Sequence, residues 1–138
     1  MNSKLHAALE ANLRKKIYVE TMYWACQGLT NKEIGDKVFR SRQCIAFRFD
    51  QMSQEFGTHN RRELLKKILC YNEVNCQSLT PIRQTILKML STGMTTKDVS
   101  AELGLNKSTV KWYTTYMRRD IGAKSNLQMI AMYWERMT

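Results

Sequence analysis

The stretch Gly93-Met94-Thr95-Thr96-Lys97-Asp98-Val99, continued by Leu103-Gly104-Leu105-Asn106-Lys107-Ser108-Thr109-Val110-Lys111, decides the fold. Gly93 ends a helix, because glycine reaches the left-handed cap without penalty. Thr95 is an N-cap, and Asp98 three residues on completes a capping box. Val99 and Leu103 face inward, and Gly104 stops this short helix. Asn106 caps a longer helix, expected from about Lys107 to Asp120, whose inward residues are Val110, Thr114, Met117 and Ile121. Upstream, Thr80 with Pro81 at the first helical position opens a helix with Ile82, Ile86, Met89 and Leu90 on one face. Downstream of Gly122, Ser125 with Gln128 opens a last helix. Its apolar surface is Met129, Ile130, Tyr133, Trp134 and Met137.

The same plan stands 65 residues earlier. Gln27-Gly28-Leu29-Thr30-Asn31-Lys32-Glu33-Ile34 aligns with Thr92-Gly93-Met94-Thr95-Thr96-Lys97-Asp98-Val99, and Phe56-Gly57 with Ile121-Gly122. Thr30 with Glu33 opens a second helix of this earlier copy. Ser41 opens a third, with Ile45, Phe49, Met52 and Phe56 inward, and Asn60 with Glu63 a fourth. Its first helix lacks the Thr-Pro start and is expected to continue from an N-terminal amphipathic segment, where Leu5, Leu9, Leu13 and Ile17 recur every four residues. The expectation is an all-α chain: two tandem four-helix helix-turn-helix domains after an N-terminal amphipathic helical segment. Residues 1–71 are the segment and the first, divergent copy, residues 72–78 a linker, and residues 79–138 the second copy.

Composition narrows the function. The chain has 138 residues with 43% hydrophobic and 25% charged, one proline and six glycines. It can bury a core, and short helices joined by tight turns suit it. The formal charge of +10 asks for a polyanionic partner, nucleic acid or an acidic membrane surface. The excess is no tail: thirteen basic against eight acidic residues stand up to Cys76, and nine against four beyond it. No apolar run approaches a membrane span, and the N-terminus lacks a signal-peptide apolar stretch, so a cytoplasmic location without membrane contact is expected. Cys26, Cys44, Cys70 and Cys76 form no Cys-x-x-Cys pair, and His6 and His59 stand at no metal spacing. Reduced thiols and no metal or other cofactor are expected. There is no nucleophile–base pair, carboxylate constellation or phosphate-cradling glycine loop, so no enzyme is expected.

Two short helices joined by a tight turn, in a basic domain, suit DNA: an exposed helix enters the major groove of double-stranded DNA and reads base edges. In detail, Leu79-Thr80-Pro81, Ile86 to Leu90, Gly93 to Val99, Leu103 to Lys111 and Ile121-Gly122 resemble the LuxR/GerE-type helix-turn-helix domain. Gly28 to Ile34 and Gly57 to Leu64 resemble it too. Sigma-factor region-four domains share the helical plan. The resemblance implies a transcription regulator in which the third helix of each copy enters the major groove. In the second copy it puts Lys111, Trp112 and Thr115 at base-reading positions, beside Ser108. Thr95, Lys97, Lys107, Arg119 and Lys124 are then phosphate contacts.

The first copy departs from this pattern. Its counterparts to Lys111, Trp112 and Thr115 are Ala46, Phe47 and Asp50. An aspartate is repelled by phosphate unless it accepts from cytosine N4. Weaker DNA contacts there are Thr30, Lys32, Arg42, Gln43, Phe47, Arg48 and His59. Two readings stand: this copy reads a different base pattern, or it serves as a dimerisation or partner surface. Phe47 and Trp112 are outward on this phase, for a thymine contact or a protein contact, and inward if the phase is off by one. The family pairs through its last helix. Met129, Ile130, Tyr133, Trp134 and Met137 are therefore dimerisation candidates, either between two chains as a homodimer or inside one chain as a pseudo-dimer. The family's usual sensor domain has no room in 138 residues, so control by abundance or by a partner is expected, with RNA polymerase as the machinery to recruit or block. The alternative is a protein-interaction module, an anti-regulator or a polymerase-binding co-regulator.

Overall fold

Each capping signal marks a helix start, although Thr80 and Asn106 make no side-chain cap bond. The structure is a computed structural model and describes residues 3–137. Met1, Asn2 and Thr138, at the ends of the two expected domains, lie outside the described residues. Among those described run nine helices and no strand: α1 (Lys4–Asn12), α2 (Lys16–Cys26), α3 (Asn31–Val38), α4 (Arg42–Phe56), α5 (Arg61–Leu69), α6 (Pro81–Ser91), α7 (Thr96–Leu103), α8 (Lys107–Ile121) and α9 (Asn126–Met137). The starts of α2, α3, α4 and α5 lie 65 residues before those of α6, α7, α8 and α9. The first three pairs also match in length, at 11, 8 and 15 residues.

The caps explain these boundaries. Thr95 Oγ1 accepts from the Asp98 N–H at 3.1 Å, and Asp98 accepts from the Thr95 N–H at 3.1 Å. Thr30 and Glu33 repeat this reciprocal box at α3. Ser41, Asn60 and Ser125 each accept from an N–H three residues on, at 3.1, 2.9 and 3.1 Å. Gln128 differs from its expected part in a box with Ser125: its side chain accepts from the Lys124 N–H at 2.7 Å. Gly57, Gly104 and Gly122 end α4, α7 and α8 in the left-handed region.

The N-terminal run breaks where continuity was expected. Leu5, Leu9 and Leu13 are buried, but Ile17 is 43% exposed. Leu13 is extended, at φ −114° and ψ 128°, so the chain turns there and α1 folds back against α2 and α5. A period of four can therefore cross a corner. Leu5 and Leu9 share one face of α1, Leu13 sits at the corner, and Ile17 lies in the first turn of α2.

One core joins both sets of helices. It runs from Leu5 through Ile34, Ile45 and Leu64 to Ile86, Val110, Met129 and Ile130. α9 packs against α1, α2, α5, α6 and α8. Across the sets, α5 meets α6, α2 meets α9, and α5 meets α9. Exchanging the sets converts the first contact into the second and returns the third to itself, the pattern of an isologous contact. The closest approaches follow the same exchange. A Cβ on Gly28 would lie 2.5 Å from Gln128 Oε1, and one on Gly93 would lie 2.9 Å from Glu63 Cβ. Glu63 and Gln128 are again 65 residues apart. Both glycines also have positive φ, 86° and 102°, which disfavours a side chain at either. At Gly93 the neighbour is the Glu63 Cβ, which cannot swing aside, whereas at Gly28 it is the end of the Gln128 side chain. Asn60 Nδ2 donates to the Gly93 carbonyl at 2.8 Å, and Arg62 Nη1 donates to the Leu90 carbonyl at 3.2 Å and to that of Met94. These side chains bond carbonyls at and beyond the end of α6, of which that of Leu90 also accepts from the Gly93 N–H at 3.1 Å.

This packing bears on two expectations. Met129, Ile130, Tyr133 and Trp134 are 0, 0, 5 and 7% exposed inside this one chain, so a second chain cannot reach them; only Met137 stays open. The Lys4 ammonium lies 4.8 Å above the Trp134 ring. Secondly, the stretch expected as linker is non-helical but held. Val74 is buried, and its N–H donates to Ser91 Oγ on α6 at 2.8 Å.

Candidate nucleic-acid interface

α7, the turn at Gly104, and α8 present the side chains singled out in the sequence. Val110, Thr114 and Met117 anchor α8 in the core, which turns the opposite face outward. Lys107, Ser108, Lys111, Trp112, Thr115 and Arg119 are all exposed on it. The helical phase is thereby resolved, with Trp112 outward. Thr95, Lys97 and Lys124 are exposed at neighbouring positions. The Thr95 hydroxyl is already engaged as the N-cap acceptor of α7. The Asp98 carboxyl is held below the usual aspartate range, first by the Thr95 backbone N–H and then by the Thr95 hydroxyl, with Lys97 adding a smaller pull. It therefore stays ionised at neutral pH, where it serves the cap.

No side chain caps the first turn of α8, so its leading N–H groups carry no side-chain acceptor. Such N–H groups and the positive end of the helix dipole suit a phosphate. At α4, Ser41 fills that position. Arg118 is half-buried and donates to Asn126 Oδ1 at 2.5 Å, tying the end of α8 to α9. Asp120 pairs with Arg83 at 3.1 Å.

The same face of α4 is chemically different. Its residues Arg42, Gln43, Ala46, Phe47, Asp50 and Gln54 carry one cation and one anion, whereas the α8 face carries three cations and no carboxylate. Thr30, Lys32, Arg42, Gln43, Phe47 and His59 are exposed as expected. Arg48 is not: it is 7% exposed, donates to Thr21 Oγ1 at 3.0 Å and pairs with Glu20 at 3.4 Å. Its position on α4 points it back at α2, so its charge is spent inside the fold. The sequence pattern missed this because an arginine two residues before Asp50 looks like a groove residue until α2 supplies the partners.

Two residues escaped the sequence reading. Tyr116, 36% exposed, stacks obliquely on Trp112 with ring centroids 4.6 Å apart. It stands four residues after Trp112, the spacing that makes helical neighbours, and that signal was available. Phe39 is 86% exposed in a left-handed conformation at φ 59°, where the other set has Gly104.

The four thiols are unpaired with one another. Cys26 is buried, Cys44 and Cys76 are half-buried and Cys70 is exposed. Burial pushes the Cys26 thiol well above its ordinary value, so it behaves as an apolar side chain. Among the described residues, no helix is long and apolar enough to cross a membrane.

Comparison with known proteins bears on this face. Residues 77–133 match the GerE family model, bacterial regulatory proteins of the luxR family. That span holds α6, α7, α8 and most of α9, so the likeness to bacterial regulatory proteins of the luxR family falls on these four helices. The chain is also similar to Nodulation protein W of Bradyrhizobium diazoefficiens (strain JCM 10833 / BCRC 13528 / IAM 13628 / NBRC 14792 / USDA 110). The two are 38% identical over 56 residues, which is 41% of this chain and 25% of that protein. The chain thus matches only a quarter of the length of that relative. No solved structure matches the chain.

Proposed function

We propose, starting from the luxR-type domain at residues 77–133, that this chain is a sequence-specific transcription regulator with two tandem helix-turn-helix units, α2–α5 and α6–α9, and that α8 is its main reader. The observation that carries this reading is the outward face of α8, with Lys107, Lys111 and Arg119 exposed and no carboxylate among its six residues. Lys111 reaches guanine acceptors, and Thr115 contacts a base or a thymine methyl. Lys97, Lys107, Arg119 and Lys124 hold phosphates and set the register.

The exact 65-residue recurrence of helix starts and the exchanged glycine contacts support the tandem reading. On it, the two last helices pair within the chain as a pseudo-dimer, and α4 and α8 address two half-sites about one helical turn apart. The α4 half is the weaker, because its face has no net charge. A cytoplasmic setting on double-stranded DNA fits this, with no cofactor. A second reading has a specific observation behind it: Ile17, Phe39 and Phe47 are all exposed in the first unit, which suits a protein partner such as RNA polymerase.

The test is selection of random duplex DNA by the purified protein, followed by affinities over a salt series for the wild type and Lys111→Ala. Expected are an enriched asymmetric motif, a steep fall of affinity with salt, and a loss of about 1–3 kcal/mol of specific binding for Lys111→Ala. Non-specific binding should change less. Equal loss on every sequence would reduce Lys111 to a phosphate contact, and no binding at low salt would transfer the reading to the protein-partner alternative.

A further inference from the structure

Charge does not account for everything on the α8 face. Trp112 is 51% exposed and Tyr116 36%. The two rings lie 4.6 Å apart with planes inclined at 51°. Tyr113 meets Trp112 edge-on, with centroids 5.2 Å apart. The Arg119 guanidinium stands 5.2 Å from the Tyr116 ring. The indole is thus braced by two tyrosines, so little ordering is needed when a partner arrives. The set is also particular to this helix. The positions equivalent to Trp112, Tyr113 and Tyr116 on α4 are Phe47, Arg48 and Gln51, and Arg48 turns inward to Thr21 and Glu20.

A braced apolar surface between Lys111 and Arg119 has a restricted set of partners. Phosphates and most base edges offer hydrogen-bond acceptors and donors, to which the faces of the rings contribute little. The indole N–H donates, but nothing on the ring accepts. The apolar group on the base edges of the major groove is the C5-methyl of a pyrimidine, carried by thymine.

We infer that Trp112, positioned by Tyr116, reads the C5-methyl group of a pyrimidine in the half-site facing α8. The inference rests on the proposed DNA reading by α8. Tyr116 is a positioning residue: its ring limits the directions open to the indole, which fixes the distance of the methyl contact from the base that Lys111 addresses. A thymine is then required at one or two positions beside the Lys111 contact, and cytosine, with the same ring but no methyl, is disfavoured there.

The test uses the duplex obtained by selection, remade with each thymine replaced singly by deoxyuridine. That change deletes the methyl and leaves the hydrogen-bonding edge intact. Affinities are measured by fluorescence anisotropy for the full chain and for Trp112→Ala, Trp112→Leu and Tyr116→Ala. The wild type should lose about three- to tenfold at one or two thymines, the scale of one buried methyl. Trp112→Ala should bind thymine and deoxyuridine duplexes equally at those positions, Trp112→Leu should retain part of the preference, and Tyr116→Ala should shrink it. The residues are exposed, and circular dichroism of each variant checks that the fold is kept. An enriched motif with no deoxyuridine-sensitive thymine overturns this inference and leaves DNA reading standing. So does a thymine preference that survives in Trp112→Ala. Absence of any enriched motif overturns the DNA reading itself, and the methyl reading with it.

Discussion

Phe39 and Gly104 occupy the same place in two equivalent turns, both left-handed, yet only one of them is glycine. The left-handed region costs a side-chain-bearing residue roughly 1–2 kcal/mol, and glycine's extra freedom in the unfolded chain costs roughly 0.5–1 kcal/mol. Since Phe39 is 86% exposed, little packing offsets the difference. Phe39→Gly should therefore stabilise the fold by about 0.5–1 kcal/mol in a urea titration. A destabilised variant would mean that the ring packs against a surface after all. Arg48 makes the opposite case. Its guanidinium is buried against Thr21 and Glu20, so Arg48→Met should cost about 1–3 kcal/mol of stability and leave the DNA affinity of the folded protein unchanged. Lost affinity at unchanged stability would return Arg48 to the interface. At this scale the sequence was legible wherever one helix decides exposure. Lys107, Lys111, Trp112 and Arg119 are outward because Val110, Thr114 and Met117 are inward. It was not legible for Arg48, whose environment is made by a helix some thirty residues away.

Elements were the most readable level, because capping chemistry is local. The Thr95–Asp98 and Thr30–Glu33 pairs announce α7 and α3, and both boxes are formed. The boundary that failed, at Leu13, has no cap glycine or proline to mark it. Only the packing of α1 against α2 and α5 decides the corner. The boxes also carry a pH signature. Glu33 and Asp98 are held below the ordinary carboxylate range, chiefly by the backbone N–H of Thr30 and Thr95. A lowered native pKa means that the stabilisation is present at neutral pH and is lost as pH falls through the carboxylate range and below. The Glu33→Gln, Asp98→Asn double variant keeps an accepting oxygen but does not titrate. Its melting temperature should fall less steeply between neutral and acid pH than that of the wild type. Parallel slopes would show that other carboxylates govern acid unfolding.

The whole molecule was least readable, because contacts between distant helices leave no local mark. The 65-residue recurrence was visible, and so were Gly28 and Gly93 as helix ends. Their second role, as seats for Gln128 and Glu63, appears only when the two sets of helices meet. For the same reason the sequence left Met129, Ile130, Tyr133 and Trp134 open between a second chain and the other copy, and they lie in the core of this one chain. Gly93→Ala combines a positive φ with a Cβ 2.9 Å from Glu63 and should destabilise the entire chain by about 1–3 kcal/mol. Because one core spans both sets, unfolding should follow a single transition by fluorescence and by circular dichroism. Two separated transitions would show that the sets fold independently.

The shared core around α9 also bears on how the protein would respond to its own abundance. A regulator assembled from two separate chains must first associate, and its occupancy of DNA at low concentration rises with the square of the amount present. On the proposed tandem reading, the surfaces that would do the associating are closed within one chain. Occupancy should therefore climb in direct proportion to copy number, giving a graded response instead of a threshold.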